Sequence, residues 1–257
     1  MDYINRYRKR LYRNGEDTGE ALTNNTISFI NRNFTSSPTY RKMEVSSSSN
    51  PTLVSMDARV VEIERLGTLR EIILRPNESL EIGTYVRFDG YTWLLFDKYG
   101  GAGSTSIKML AIKCNRKIKW VPRGDNSIVC EYDCVASATD LGSKAKQSKN
   151  EIEWNKYDVR LPLGQLFISI EANTYTRKIK LNDRFIFGRN VYEVTGIDDV
   201  TNIANNGEGI IQLTVKITTQ RTTDDFENGL AENIYKDEEI NSTEPTSPII
   251  DDGGMLW

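Results

Sequence analysis

The sequence predicts a mainly β protein: a β-barrel or sandwich core with an internally repeated hairpin unit, plus a short N-terminal helix and flexible termini. Three observations predict it. From about Val54 to Gln220 the chain runs through short segments rich in β-branched and aromatic residues, each bounded by Gly, Pro, Asn or Asp. Along "GIIQLTVKITT", Ile211, Leu213, Val215 and Ile217 alternate with Gln212, Thr214, Lys216 and Thr218, which gives one buried and one wet face. Finally, "GTYVRFDGYTWLLFDKY" from Gly83 and "NDRFIFGRNVYEVTGIDD" from Asn182 superimpose without a gap. Val86 meets Phe185, Phe88 meets Phe187, Trp93 meets Tyr192 and Leu95 meets Val194.

In chain order, residues 2 to 14 read as a short helix. Ile4, Tyr7 and Leu11 share one face and Arg6, Arg10 and Arg13 another, with Gly15 as a stop. The stretch from 16 to 52 is rich in Asn, Ser and Thr, and "SSSSNP" reads as a linker; "NNTISFINRNF" adds a short helix or strand. Residues 1–52 are thus an arm and linker, and 53–221 a β-barrel core. The predicted strands are "ARVVEIERL", "REIILRP", "TYVRF", "YTWLLF", "IKMLAIKC", "KIKWVPR", "SIVCEYDCVA", "QLFISIE", "RKIKL", "RFIFG", "VYEVTGI" and the alternating segment above. An insertion over 137–155 interrupts them as a helical excursion or loop, being too long and polar for a tight turn. Residues 222–257 are an acidic extension whose only basic residue is Lys236, and "DDFENGLAENIY" within it has the makings of a helix.

The repeat has a physical reason. A lone hairpin cannot bury its Phe, Trp or Tyr and is marginal in water. Two such units with their intervening strands can close one β core over both aromatic faces. Phe88, Trp93, Phe187 and Tyr192 are therefore expected in the core. Asp89-Gly90 in the first turn is a strong hairpin signal. Gly188 and Asn190 in the second tolerate positive φ.

Composition narrows the function. The chain of 257 residues has a net charge of −3, which gives no global pull toward nucleic acid or membrane. It contains no histidine, which removes Ser-His-Asp and Cys-His catalysis and every His-containing zinc site. Cys114, Cys130 and Cys134 read as free thiols of a reducing compartment, used as small hydrophobes. The N-terminus has no apolar signal-peptide core, and no apolar run reaches membrane-spanning length. "YGGAGSTS" lacks the spacing and lysine of a phosphate loop. It reads instead as a mobile loop around Gly101 and Gly103. "RGD" at 123–125 is an ordinary turn, and the paired aspartates at 198–199, 224–225 and 251–252 make no convincing acid–base pair. The expectation is no enzyme, no cofactor and no metal.

A resemblance carries these residues further. The aromatic hairpin of form D-R-F-x-F-x-x-x-x-Y-x-V, "CNRKIKW" followed by a turn and a strand ending near Cys134, and the opening "MDYINRYRKRLYRNG" resemble tailed-bacteriophage head-closure proteins. These stopper, or head–tail connector, proteins form the neck of long-tailed phages of Gram-positive hosts. The resemblance covers about Met1 to Gln220. It implies a β-barrel module that forms a ring (six- or twelve-fold) at the virion neck, assembled in the host cytoplasm. The implied partners are a portal or adaptor ring protein on one side and a tail terminator or tail tube protein on the other. A projecting loop would hold packaged DNA by non-specific contact, with no role for a membrane. The candidate contact elements are then the arm with Arg6, Arg10 and Arg13, the 100–106 loop with Gly101 and Gly103, the 137–153 excursion with Lys144 and Lys146, and the acidic tail. A tail-completion or baseplate protein is the alternative, and a β-sandwich carbohydrate-binding module ranks behind both.

Overall fold

The computed structural model describes residues 2–11, 15, 17–46, 52–63, 67–100, 105–122, 128–138 and 161–233. Among these residues two helices, α1 (Asp2–Leu11) and α2 (Thr18–Asn33), lead into twelve strands. The first six are β1 (Tyr40–Ser46), β2 (Val54–Glu62), β3 (Leu69–Leu74), β4 (Tyr85–Phe88), β5 (Tyr91–Tyr99) and β6 (Lys108–Lys113). The second six are β7 (Arg116–Trp120), β8 (Cys130–Ser137), β9 (Gln165–Glu171), β10 (Arg184–Phe187), β11 (Asn190–Asp198) and β12 (Ile210–Thr218). The protein is mainly β, as its alternation and turn residues predict.

The two halves have one topology. The first closes into a barrel of order β1-β2-β3-β6-β5-β4. The second is a six-stranded sheet of order β10-β11-β12-β9-β8-β7, the same sequence of neighbours read from the other end. Every pairing is antiparallel. Each copy of the repeated hairpin lies in its own half, so the two copies build two cores rather than jointly closing one. Met43, Ile72, Leu74, Val86, Phe88, Trp93 and Leu95 fill the first. Ile118, Trp120, Phe185, Phe187, Tyr192 and Val194 belong to the second.

The repeat extends to backbone detail at the spacing of 99 residues. Gly83 N–H donates to Leu95 O and Leu95 N–H to Thr84 O; Asn182 N–H donates to Val194 O and Val194 N–H to Asp183 O. Gly83 and Asn182 both take positive φ, 91° and 67°. A register shift falls between Leu95 and Asp97 in β5 and between Val194 and Gly196 in β11. Such bulges bend a strand and sharpen its twist, which a small barrel needs at its corners. The aromatic pairs diverge: Phe88 stacks on Trp93 at 5.1 Å, whereas Phe187 meets Tyr192 edge-on at 5.8 Å.

Several sequence expectations change. "YRKMEVS", read as part of the arm, is β1, with only Met43 and Val45 facing the core. "NNTISFINRNF" lies within a sixteen-residue helix and ends at its buried C-cap, Phe34. "RKIKL" is not a strand: its first two residues, Arg177 and Lys178, close a 3-10 turn over Thr176–Lys178. "DDFENGLAENIY" is not helical up to Asn233: Asp225 and Leu230 exchange backbone bonds of 2.9 and 2.8 Å across a tight turn. Ile217 is 46% exposed, so the alternation of β12 stops short of its end.

Candidate functional site

The two halves are joined by only two residues, Cys114 and Asn115. Their consecutive amides donate to opposite sides: Cys114 to Thr92 O in the first barrel, and Asn115 to Cys134 O in the second half. The Asn115 side chain continues the pairing, donating to Ala136 O and accepting from Ala136 N–H. Leu69, Tyr85, Leu94, Phe96, Ile112, Val135 and Ile210 pack into a shared core between the halves. Within it the buried Tyr85 hydroxyl donates to Asp133 O at 2.5 Å and accepts from Glu171 N–H at 3.3 Å. Gly83 sits so close to Gly209 that a Cβ would lie 2.0 Å from its carbonyl oxygen. The halves therefore form one body.

Beside Tyr85 this junction leaves an open cleft of about 430 Å³, with Arg87, Glu131, Tyr132, Asp133, Glu171 and Tyr175 among its walls. The Lys117 and Lys119 ammonium groups beside Glu131 hold its carboxyl below the usual carboxylate range. Burial raises the Tyr132 hydroxyl above its ordinary value. Burial also pushes the Cys114 and Cys134 thiols well up, away from the thiolate form a nucleophile needs. Among the described residues no group of three or more Cys, Asp or Glu could hold a metal ion.

Two further features flank this body. The first is the arm. Phe34, fully buried, is clasped by two guanidinium groups: Arg59 at 4.8 Å and Arg75 at 4.5 Å from its ring centre. The same arginines cap the end of α2, Arg59 donating to Asn33 O and Phe34 O and Arg75 to Asn31 O. At its start the Asp17 carboxylate accepts from Glu20 N–H at 2.7 Å. Between these ends α2 buries no residue, and Leu22 and Phe29 are 63% and 68% exposed. On α1, Tyr3, Ile4 and Tyr7 are exposed as well, so Ile4 and Tyr7 of the apolar stripe are not packed on the β core.

The second is the seam of the second half. In the first barrel β4 pairs with β1 through Tyr85, Val86 and Arg87. Among the described residues the equivalent β10 has no strand partner on that side, although Trp120 of β7 reaches Phe185 edge-on at 6.2 Å. A strap formed by residues 219–233 takes the missing place. Asn233 accepts from Arg184 N–H and donates to Arg184 O, as a strand would. The Arg184 guanidinium, 4% exposed, forks onto the fully buried Asp224 carboxylate at 2.9 and 2.8 Å.

Of the residues singled out by sequence, Phe88, Trp93, Phe187 and Tyr192 are buried, and Cys130 and Cys134 face the second core. Arg6 is exposed on α1, and Arg10 lies on the same helix. Arg13, Gly101, Gly103, Lys144, Lys146, the 139–155 part of the insertion, the RGD triplet and the tail beyond Asn233 lie outside the described residues. Asp198 caps a loop, accepting from Val200 and Thr201 N–H. The cleft, the clasp and the strap carry no signature that sequence reasoning found: each joins residues remote in the chain.

Residues 108–216, from β6 through most of β12, match the family model of the YomX C-terminal domain, a phage-derived, Bacillus prophage-type family. The match covers the last strand of the first half and nearly all of the sheet of the second, and it suggests a phage protein. No curated protein and no solved structure matches. Among the described residues no helix is long and apolar enough to cross a membrane.

Proposed function

We propose that the chain is a structural protein of the phage virion. Copies form a ring at the neck that closes the portal channel after DNA packaging and offers the tail its attachment surface. In this reading it performs no catalysis, and its partners are a portal or adaptor ring, a tail terminator or tube protein, and further copies of itself. The observation that carries the reading is the arm, held hard at Phe34 while the whole of α2 buries nothing. A helix of this length is marginal in water without a packed face, so α2 is built to meet a partner. The phage association of residues 108–216 and the rigid pair of β units supply the context.

Electron microscopy of a lysate in which this gene carries a stop codon tests the reading. Emptied heads beside complete, unattached tails are expected. Filled, stable heads with absent or malformed tails would move the protein to the tail. Normal infectious particles would end the assembly reading.

A further inference from the structure

Nine of the sixteen residues of α2 are Gly, Ser, Thr or Asn, all poor formers of a helix interior. Thr23 and Thr26 even spend their hydroxyls on the carbonyls of Gly19 and Leu22. Such a helix with no buried residue draws its stability from something that covers it. The same holds for Tyr3, Ile4 and Tyr7 on α1. The cover must be partly apolar and, because residues 1–13 hold five basic residues and one acidic, acidic.

The chain contains one segment of that chemistry. Residues 234–257 hold six acidic residues and one basic, interspersed with Ile234, Tyr235, Ile240, Ile249, Ile250, Leu256 and Trp257. The segment leaves the strap at Asn233, which is fixed to β10 of the second half, whereas the arm is fixed to Arg59 of β2 and to Arg75, just after β3, in the first barrel. The two complementary ends thus depart from different halves of a rigid body.

We propose that the arm of one copy is covered by residues 234–257 of a second copy, so that neighbours are clasped head to tail. The clasp rests on the ring reading above and names its contact. Opposite charge guides the encounter, and the apolar side chains hold it. Head-to-tail contact between unlike surfaces closes into a ring when the rotation allows.

The test uses the purified full chain in sedimentation velocity and negative-stain microscopy. Arg6→Glu with Arg10→Glu, and separately a chain ending at Asn233, are each expected to convert the assembly to monomer, with unfolding midpoints matching that of wild-type chain diluted to monomer. Adding Glu238→Lys with Glu239→Lys to the arm variant is expected to restore assembly. Zero-length cross-linking of mixed light and heavy-isotope chains is expected to join Lys9 to tail carboxylates of the other isotope. Rings that persist in the chain ending at Asn233 would overturn the clasp while leaving the ring reading standing. Cross-links confined to one isotope would overturn the second-copy assignment. Wild-type chain that stays monomeric at every concentration, without inter-chain cross-links, would remove both.

Discussion

Tyr85 and Arg184 occupy the same position in their respective halves, 99 residues apart, yet each turns it to a different task. The Tyr85 hydroxyl stitches the halves together through Asp133 O and Glu171 N–H, whereas Arg184 anchors the strap through Asp224.

Tyr85→Phe keeps the ring and removes the stitch, so the Asp133 carbonyl and the Glu171 amide lose their hydroxyl partner. A loss of about 1–3 kcal/mol is expected, read as a lower midpoint in urea with unchanged slope. An unaltered midpoint would mean that water replaces the hydroxyl.

Gly83 and Gly90 make a matched pair, with φ of 91° and 77°. A Cβ on Gly90 meets nothing within 4 Å, so Gly90→Ala carries only backbone strain, about 1–2 kcal/mol. Gly83→Ala adds the collision with Gly209 O across the junction and is expected to cost clearly more. Equal thermal shifts for the two variants would refute so close an approach of the halves.

Burial works against ionised Asp224, but the Arg221 amide, the Arg184 guanidinium and the Glu232 amide outweigh it and hold the carboxyl below its usual value. Its support for the strap is therefore complete above the unfolded carboxyl value of about 3.9 and is lost as pH falls through the lower folded one. Hydrogen exchange of residues 221–233 is expected to accelerate below about pH 4, and Asp224→Asn to erase that dependence. Asp224→Ala strands Arg184 without its counter-charge and is expected to cost about 3–5 kcal/mol.

Phe34→Ala removes the ring held between Arg59 and Arg75. Loss of a buried Phe costs about 3–5 kcal/mol, and here the loss should appear first as rapid exchange and proteolysis within 18–33. Leu22→Ala, exposed on the same helix, should leave unfolding within about 0.5 kcal/mol of wild type.

With their thiols raised by burial, Cys114 and Cys134 are expected to resist a thiol reagent at pH 8 until the chain unfolds. Rapid labelling of either in the native protein would contradict the packed junction.

The repeated hairpin was legible because its signals are local: period-two alternation, a turn glycine and an aromatic on each side. The rest of the duplication was not. β1 offers only Met43 and Val45 to a core and β7 only Ile118 and Trp120, two alternating residues each, which is too short a signal to mark either strand as a copy of the other. Nor does a sequence reveal that Asn233 imitates a strand edge for Arg184, forty-nine residues away. Phe34 looked like the end of a polar arm because its burial depends on arginines contributed by β2 and by the residue after β3.

A homodimer of single barrels would have to carry every alteration twice, once on each side of its axis. Joining two units through Cys114 and Asn115 frees them from that symmetry. One unit keeps a hydrogen-bonded closure while its twin leaves an opening for a strap, and each can change its outer surface alone. Two unlike faces, held at a fixed angle by a two-residue joint, are what a part needs if it must sit between neighbours that do not resemble one another.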